Sequence, residues 1–333
     1  MADPASAPYA ALTPDVVLDA LEAVGFEGDG RLLALNSYEN RVYRVNLVDG
    51  TFVVAKFYRP GRWSDEAIVE EHAFAHELAH AEVPVVAPFT FEDASSLARH
   101  AGFRFAVYPA RGGRAPELEQ ADTLTWIGRF IARMHNVGAT RAFTARPSLD
   151  IASFGKEPRD YLLAHRFLPA PLEPAYRAAV DLALDGVGRC YERAGSVRAI
   201  RVHGDVHAGN ILWTDRGPHF VDLDDARMAP AVQDLWMLLP GDRADMTRAL
   251  DAVLEGYLQF RDFDGRELHL VEALRTLRLI HYAAWIARRW DDPAFRAAFP
   301  WFDTERYWQD RILELREQIA LMDEPALEWR AGA

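Results

Sequence analysis

Along the first hundred residues the spacing of apolar positions changes twice. Val17, Leu18, Leu21 and Val24 recur at helical intervals behind Thr13-Pro14, an N-cap hydroxyl followed by proline at the first helical position, and Gly25 is a natural stop. Ahead of them, the Ala/Pro-rich residues 1–12 read as loose. The period then shortens: 42–48 and 51–57 are rich in β-branched and aromatic residues, and Asp49-Gly50 between them signals a β-hairpin. Ser64, followed by Asp65 and Glu66, opens a helix that runs to about His80. A turn at Glu82-Val83-Pro84 leads to two short strands, near 85–91 and 103–108. Beyond Pro109-Ala110-Arg111-Gly112-Gly113 the helical period takes over, at 117–137, 158–166, 172–194, 231–239, 244–260, 266–290 and 303–322. One strand-like island interrupts it at 200–224. The pattern predicts an α+β chain with a small β-rich lobe over residues 1–109 and a large helical lobe over 110–333.

Charge and cysteine usage narrow the function classes. Lys and Arg number 37 against 50 Asp and Glu, a net charge of −13, so the basic footprint of a nucleic-acid binder is missing. A single cysteine, Cys190, excludes an intramolecular disulfide and a cysteine-based zinc or iron–sulfur site, and fits a reducing compartment. The opening MADPASAPYA has neither the basic nor the apolar region of a signal peptide, and no stretch has the length of a membrane span. The expectation is a cytoplasmic monomer with no nucleic-acid or membrane partner.

The chemistry concentrates in the island. His203-Gly204-Asp205-Val206-His207-Ala208-Gly209-Asn210 is followed by Phe220-Val221-Asp222-Leu223-Asp224-Asp225. Asx turns in an acidic loop would produce an isolated Asp, but not this order between strands. Asp222 and Asn210 are oxygen donors suited to Mg²⁺, which takes a carboxylate or two and leaves room for phosphate and water. That leaves Asp205 as the base that orients an attacking hydroxyl and accepts its proton. Lys56 is the second clue. Lys56 and Lys156 are the two lysines among the 37 basic residues, and Lys56 lies on the apolar strand Val53-Val54-Ala55-Lys56-Phe57, where a compact ammonium suits a phosphate pair. In the next helix Glu71 shares a face with Phe74 and Leu78 and is placed to pair with Lys56, with Glu70 as the substitute. The backbone near Val107 and Tyr108, in the strand before the break, is placed to pair with the edge of adenine.

Strand lysine, helix glutamate, hinge, catalytic Asp, Asn and metal Asp, in this order, resemble a bilobal protein kinase-like fold. The 203–210 segment is similar to the HGDxHxxN loop of the aminoglycoside phosphotransferase and choline kinase superfamily. Gly204 stands where protein kinases have Arg, and no GxGxxG joins the first two strands. In its place Leu35-Asn36-Ser37-Tyr38-Glu39-Asn40-Arg41-Val42-Tyr43 resembles the bacterial stress response kinase A family. So do Lys56-Phe57-Tyr58-Arg59-Pro60-Gly61-Arg62-Trp63, Asp222 to Arg227, Gln233-Asp234-Leu235-Trp236, and the stretch from Leu274 to Trp290 with Phe299-Pro300-Trp301-Phe302. The resemblance spans roughly residues 13 to 325. It implies a stress-protective, autophosphorylating serine/threonine protein kinase using ATP and Mg²⁺. Under it Asp205 is the base, Asn210 and Asp222 bind Mg²⁺, with Asp222 also counted as catalytic, and Ser37 sits over the ATP phosphates. It further implies that Asp234 accepts backbone hydrogen bonds from the catalytic loop.

Other readings stand beside this one. The same fold could phosphorylate a small alcohol or amino alcohol, and an acidic cleft would suit a cationic acceptor. A dinuclear metallophosphoesterase needs more histidine ligands and leaves Lys56 unexplained. A scaffolding pseudokinase does not need Lys56, Asp205, Asn210 and Asp222 together. His203 and His207 lack a third ligand for zinc and read as structural hydrogen-bonders. Asp224 and Asp225 read as supporting or solvated carboxylates, and Arg288-Arg289 as a solvated pair beside a core Trp.

Overall fold

The computed structural model describes residues 8–329; the first seven positions of the segment expected to be loose lie outside the described residues. Two positions in the remainder of that segment are anchored in the fold. Tyr9 and Leu12 are buried, and the Tyr9 hydroxyl donates to the carbonyls of Glu39 and Phe57, at 3.2 Å each. A buried tyrosine with its hydroxyl satisfied is a strong anchor, which the Ala/Pro composition around it concealed.

Helix α1 (Pro14–Glu22) starts where the cap signal places it, with Thr13 Oγ1 accepting from Val16 N at 3.3 Å. Strands β1 (Gly28–Leu35), β2 (Arg41–Leu47) and β3 (Phe52–Phe57) follow. Helix α2 (Asp65–His80) is capped by Ser64, and β4 (Ala98–His100) and β5 (Phe103–Pro109) complete an antiparallel sheet of order β1-β2-β3-β5-β4. Strand β1 escaped the sequence reading because it is an edge strand with two glycines, and its Leu33 and Leu35 face solvent, so no alternation survives. The strand expected at 85–91 is a connector with a single bridge, Val85 to Phe220. Pro84 and Pro88 remove the donors a ladder would need.

The helical lobe contains α3 (Ala121–Gly138), α4 (Glu157–Ala164), α5 (Glu173–Ala194), the short strands β6 (Ile200–Val202), β7 (Ile211–Thr214), β8 (Gly217–Phe220) and β9 (Arg227–Ala229), then α6 (Arg243–Tyr257), α7 (Val271–Ala287), α8 (Pro293–Ala298) and α9 (Glu305–Asp323). The expected helix at 231–239 is instead a pair of 3₁₀ turns, Ala231–Asp234 and Trp236–Leu238. The expected helix at 266–290 begins as a 3₁₀ segment, Gly265–Leu270, before α7. Helices α3 and α6 touch backbone to backbone: a Cβ on Gly256 would strike the Thr125 carbonyl.

Two cores position the site between them. Val17, Leu21, Val45, Val53, Ala55, Phe57 and Phe105 form the core of the sheet and α1. The larger core joins Ile127 and Ile131 of α3, Val202 of β6 and Phe220 of β8, and it also takes Phe74, Ala75 and Leu78 of α2. The C-terminal half of α2 therefore packs into the helical lobe. Among the described residues no helix is long and apolar enough to cross a membrane.

Candidate active site

The loop from β6 to β7 is held by a buried carboxylate. Asp234, fully buried in the 3₁₀ turn, accepts from the amides of His203 and Gly204, at 2.8 Å each, and lies 3.1 Å from His135 Nε2. Gln233 Nε2 adds a bond to the Gly204 carbonyl at 2.8 Å. Gly204 has φ of 88°, and a Cβ there would run into the Asp225 carbonyl, so the arginine of the protein-kinase loop has no room here. His203 Nε2 sits 3.0 Å from the Val221 carbonyl, and Val221 N donates to the Asn210 carbonyl at 3.0 Å. These bonds fix the 203–210 loop against residues 221 and 222. His203 and His207 are hydrogen-bonders: His207 Nδ1 accepts from Gly209 N at 2.9 Å.

The loop presents Asp205 and Asn210 side by side. Asn210 Nδ2 lies 2.9 Å from the Asp205 carbonyl and 3.3 Å from its Oδ2. The amide hydrogens thus face Asp205, and the amide oxygen is the atom left for a cation. Asp205 Oδ1 is 2.6 Å from Arg278 Nη1 on α7, and Oδ2 is 3.4 Å from His207 Nε2. Burial raises the Asp205 pKa, but the His207 hydrogen bond and the Arg278 charge outweigh it and leave the carboxyl below its ordinary range.

Asp222, two residues past β8, stands in the left-handed region, φ 61° and ψ 67°, a conformation that costs a non-glycine residue of order 1 kcal/mol or more. Its half-exposed carboxylate is 2.8 Å from Lys56 Nζ, and buried Asp224 is 3.3 Å from the same ammonium. Burial pushes the Lys56 pKa down; Asp222 and Asp224 more than reverse this, so the lysine stays charged. Burial likewise pushes Asp224 up, but Arg62 and Lys56 bring it down to about 2. Asp225 is lowered too, by Arg62 and Arg227 against burial. Among the described residues no group of three His, Cys, Asp or Glu side chains forms a metal cage. One open carboxylate and one amide oxygen are instead a donor set for a hard cation that brings phosphate oxygens and water with it, which suits Mg²⁺.

Glu71 does not form the expected ion pair with Lys56. It is buried on the Lys56 side of α2, yet Asp222 and Asp224 are the partners that hold the ammonium. Burial, opposed by Lys56 and Arg146, raises the Glu71 pKa to about 7, and its Oε2 has no hydrogen-bond donor among the described residues. A carboxyl that half-protonates near neutrality is a weak competitor for the lysine. Glu70 is no substitute, because it accepts from the amides of Thr144, Ala145 and Arg146, at 2.6, 2.9 and 2.9 Å, and so staples α2 to the helical lobe. Val107 is fully buried in the small-lobe core and its carbonyl already accepts from Phe89 N at 2.7 Å, so the adenine-facing backbone expected there is engaged inside the fold.

Ser37 sits half-buried in the 36–40 loop between β1 and β2. The loop is anchored by side chains: Asn40 Oδ1 accepts from Arg59 N at 3.1 Å and its Nδ2 donates to Asp224 at 3.2 Å. Buried Glu39 is 3.1 Å from Arg59, 2.7 Å from Arg289 and 2.6 Å from Trp285 Nε1.

A profile of the phosphotransferase enzyme family matches residues 31–271. Over 320 residues, 96% of both chains, the sequence is 44% identical to stress response kinase A of Escherichia coli (strain K12). It is equally similar to a Salmonella typhimurium protein named serine/threonine protein kinase RdoA, again over 96% of both chains. The chain belongs to the stress response kinase A branch of the phosphotransferase enzyme family. Its fold matches that of the amicoumacin kinase hAmiN, solved with AMP-PNP, Ca²⁺ and Ami, at a TM-score of 0.73, 17% identity and 94% coverage of each chain.

Within this kinase-type fold, the sequence reading missed Arg59, Arg62 and Arg289 as functional supports. Arg62 pairs with Asp224 and Asp225, which are thereby structural rather than solvated. Arg289 is buried against Glu39, not solvated, while Arg288 lies 5.0 Å over the Tyr161 ring. The available signal was the Arg59-Pro60-Gly61-Arg62 block directly after the lysine strand.

The raised Glu71 carboxyl makes a prediction about stability. Its folded pKa of about 7 lies above its ordinary 4.5, so the folded chain keeps a proton that the unfolded chain releases. Stability therefore falls as pH rises from about 4.5 to about 7, and the full penalty is present above that window. Glu71→Gln should raise stability at pH 8, by on the order of 1–3 kcal/mol, with little gain at pH 4.5. Thermal melts across this range check it; equal shifts at both ends would refute the assignment.

Proposed function

We propose that the chain is an ATP- and Mg²⁺-dependent serine/threonine protein kinase of the cytoplasm, stress-protective and autophosphorylating. The reading rests on one observation above the rest: Asp205 and Asn210 on one rigid loop, joined through Val221 to Asp222, which faces the buried Lys56. ATP would take Lys56 from Asp222 for its α- and β-phosphates. Asp222 and the Asn210 amide oxygen would hold Mg²⁺, which supplies charge neutralisation across the β- and γ-phosphates. Ser37 lies in the loop that would cover the phosphates. Asp205 would align the acceptor hydroxyl and take its proton. The nucleotide and divalent ion bound to the amicoumacin kinase support this use of the cleft, and the name of the Salmonella relative supports a protein acceptor.

The likeness to the amicoumacin kinase favours a second reading, a small-molecule acceptor. Purified chain incubated with γ-labelled ATP and Mg²⁺, alone, with a generic protein substrate, and with amino alcohols and aminoglycosides, separates the two. Label on serine or threonine, lost in Asp205→Ala, is the expected result. Label on a small molecule alone would transfer the acceptor to the second reading.

A further inference from the structure

The geometry points to Arg278 as the residue that selects the acceptor: it binds an anionic group beside the hydroxyl to be phosphorylated, and by moving to that group it releases Asp205. The inference rests on the reading of Asp205 as the base and deepens it by naming the acceptor's chemistry.

Both oxygens of Asp205 are engaged. Arg278 Nη1 is 2.6 Å from Oδ1, while Oδ2 faces Asn210 at 3.3 Å and His207 at 3.4 Å. A base must come within hydrogen-bond reach of the proton it abstracts, and although a carboxylate oxygen can accept twice, a guanidinium held on Oδ1 crowds that approach and lowers the basicity of the oxygen, so the site gains when this partner turns away. Asn210 is also bonded to the Asp205 backbone, and His207 is fixed through Gly209 N. Arg278 is the movable partner. Its side chain is 42% exposed, and among the described residues its guanidinium has one carboxylate partner, Asp205. A guanidinium carries five donors in a planar fork, so most of its bonding capacity remains for another anion.

Turning Arg278 away from Asp205 gives up one ion pair, which water replaces only in part at this mostly buried carboxylate. An acceptor that brings its own carboxylate offers an exchange of like for like, and the fork turns from the base to the substrate. A cationic acceptor does the opposite: it meets a guanidinium at the catalytic carboxylate and cannot draw it away. A guanidinium at the base therefore works against an amino alcohol. With hydroxyl and guanidinium each about 3 Å from Asp205 and the anionic group about 3 Å beyond the guanidinium, that group lies within about 9 Å of the hydroxyl. An aspartate or glutamate one or two residues from the acceptor serine or threonine spans that distance. A small hydroxy acid carries the same chemistry.

The test uses the full chain, Mg²⁺, γ-labelled ATP and a serine peptide whose flanking residues are Asp, Ala or Lys, with a hydroxy acid and an amino alcohol as further acceptors. The wild type should favour the Asp peptide over the Lys peptide by tenfold or more in kcat/KM, chiefly through KM. Arg278→Gln should bring that ratio close to one, Arg278→Glu should invert it, and Arg278→Lys should keep its sign. Thermal melts of each variant show that it is folded, and any one folded variant suffices. A wild type indifferent to the flanking charge, or an Arg278→Glu chain with the wild-type preference, overturns the inference while leaving Asp205-dependent transfer intact. Transfer to the hydroxy acid and to no peptide upholds Arg278 and overturns the protein acceptor. Absence of transfer to every hydroxyl overturns both readings together.

Discussion

Replacing Asp205 with alanine should lower kcat by about 10³-fold while the affinity for ATP stays close to that of the wild type. The split follows from position. The carboxylate contacts Arg278, His207 and Asn210, whereas the lysine expected to hold the nucleotide, Lys56, pairs with Asp222 and Asp224. Its salt bridge to half-exposed Arg278 is worth about 1 kcal/mol or less to the fold, so the variant should melt near the wild type. Turnover measured beside a nucleotide-binding titration decides the matter. Wild-type kcat in the variant would remove Asp205 from the mechanism; loss of nucleotide binding would make it a binding residue.

The second large effect belongs to a residue that touches no substrate. Asp234→Ala should cost roughly 3–5 kcal/mol of stability, because it leaves two buried amides and His135 without their acceptor. That corresponds to a fall in melting temperature on the order of 10 °C. Turnover should drop in the folded fraction as well, since the same carboxylate sets the path of the loop at His203 and Gly204. Asp234→Asn keeps the shape and one acceptor oxygen, and should fall between. A melting curve for Asp234→Ala that overlays the wild type would show that the loop is held by other means.

What could be read in advance depended on how local each signal is. Thr13, Ser64 and the Asp49-Gly50 hairpin act within a few residues, and the caps and turn stand where they were read. The order Asp205, Asn210, Asp222 was legible because strands on both sides leave the intervening loop few paths. The partners of charged groups were not legible. Glu70 and Glu71 are adjacent on one helix, yet one binds the backbone of residues 144–146 and the other lies buried beside Lys56; the distinction is set by what packs 70 residues away. Arg62, Arg289 and Arg278 each meet a carboxylate more than 70 positions distant, and no periodicity encodes such a pair. Strand β1 was lost for the converse reason: an edge strand with exposed leucines buries too little to leave a pattern.

Helix α2 is held from both sides: Glu70 on the 144–146 amides, Glu77 on Arg201 at 2.8 Å, and Phe74 and Leu78 in the main core tie it to the large lobe, while Asp65 on Arg104 at 3.0 Å, His72 on Tyr58 at 2.7 Å, and Ile68 beside Ala106 tie it to the sheet. Lys56 also bridges the lobes, from β3 to Asp222 and Asp224. The helix is therefore a shared strut, and any relative movement of sheet and large lobe must break contacts on one side of it or the other. One pair of probes on β3 and α2, read beside a second pair on α2 and α3, would report which side of the strut gives way.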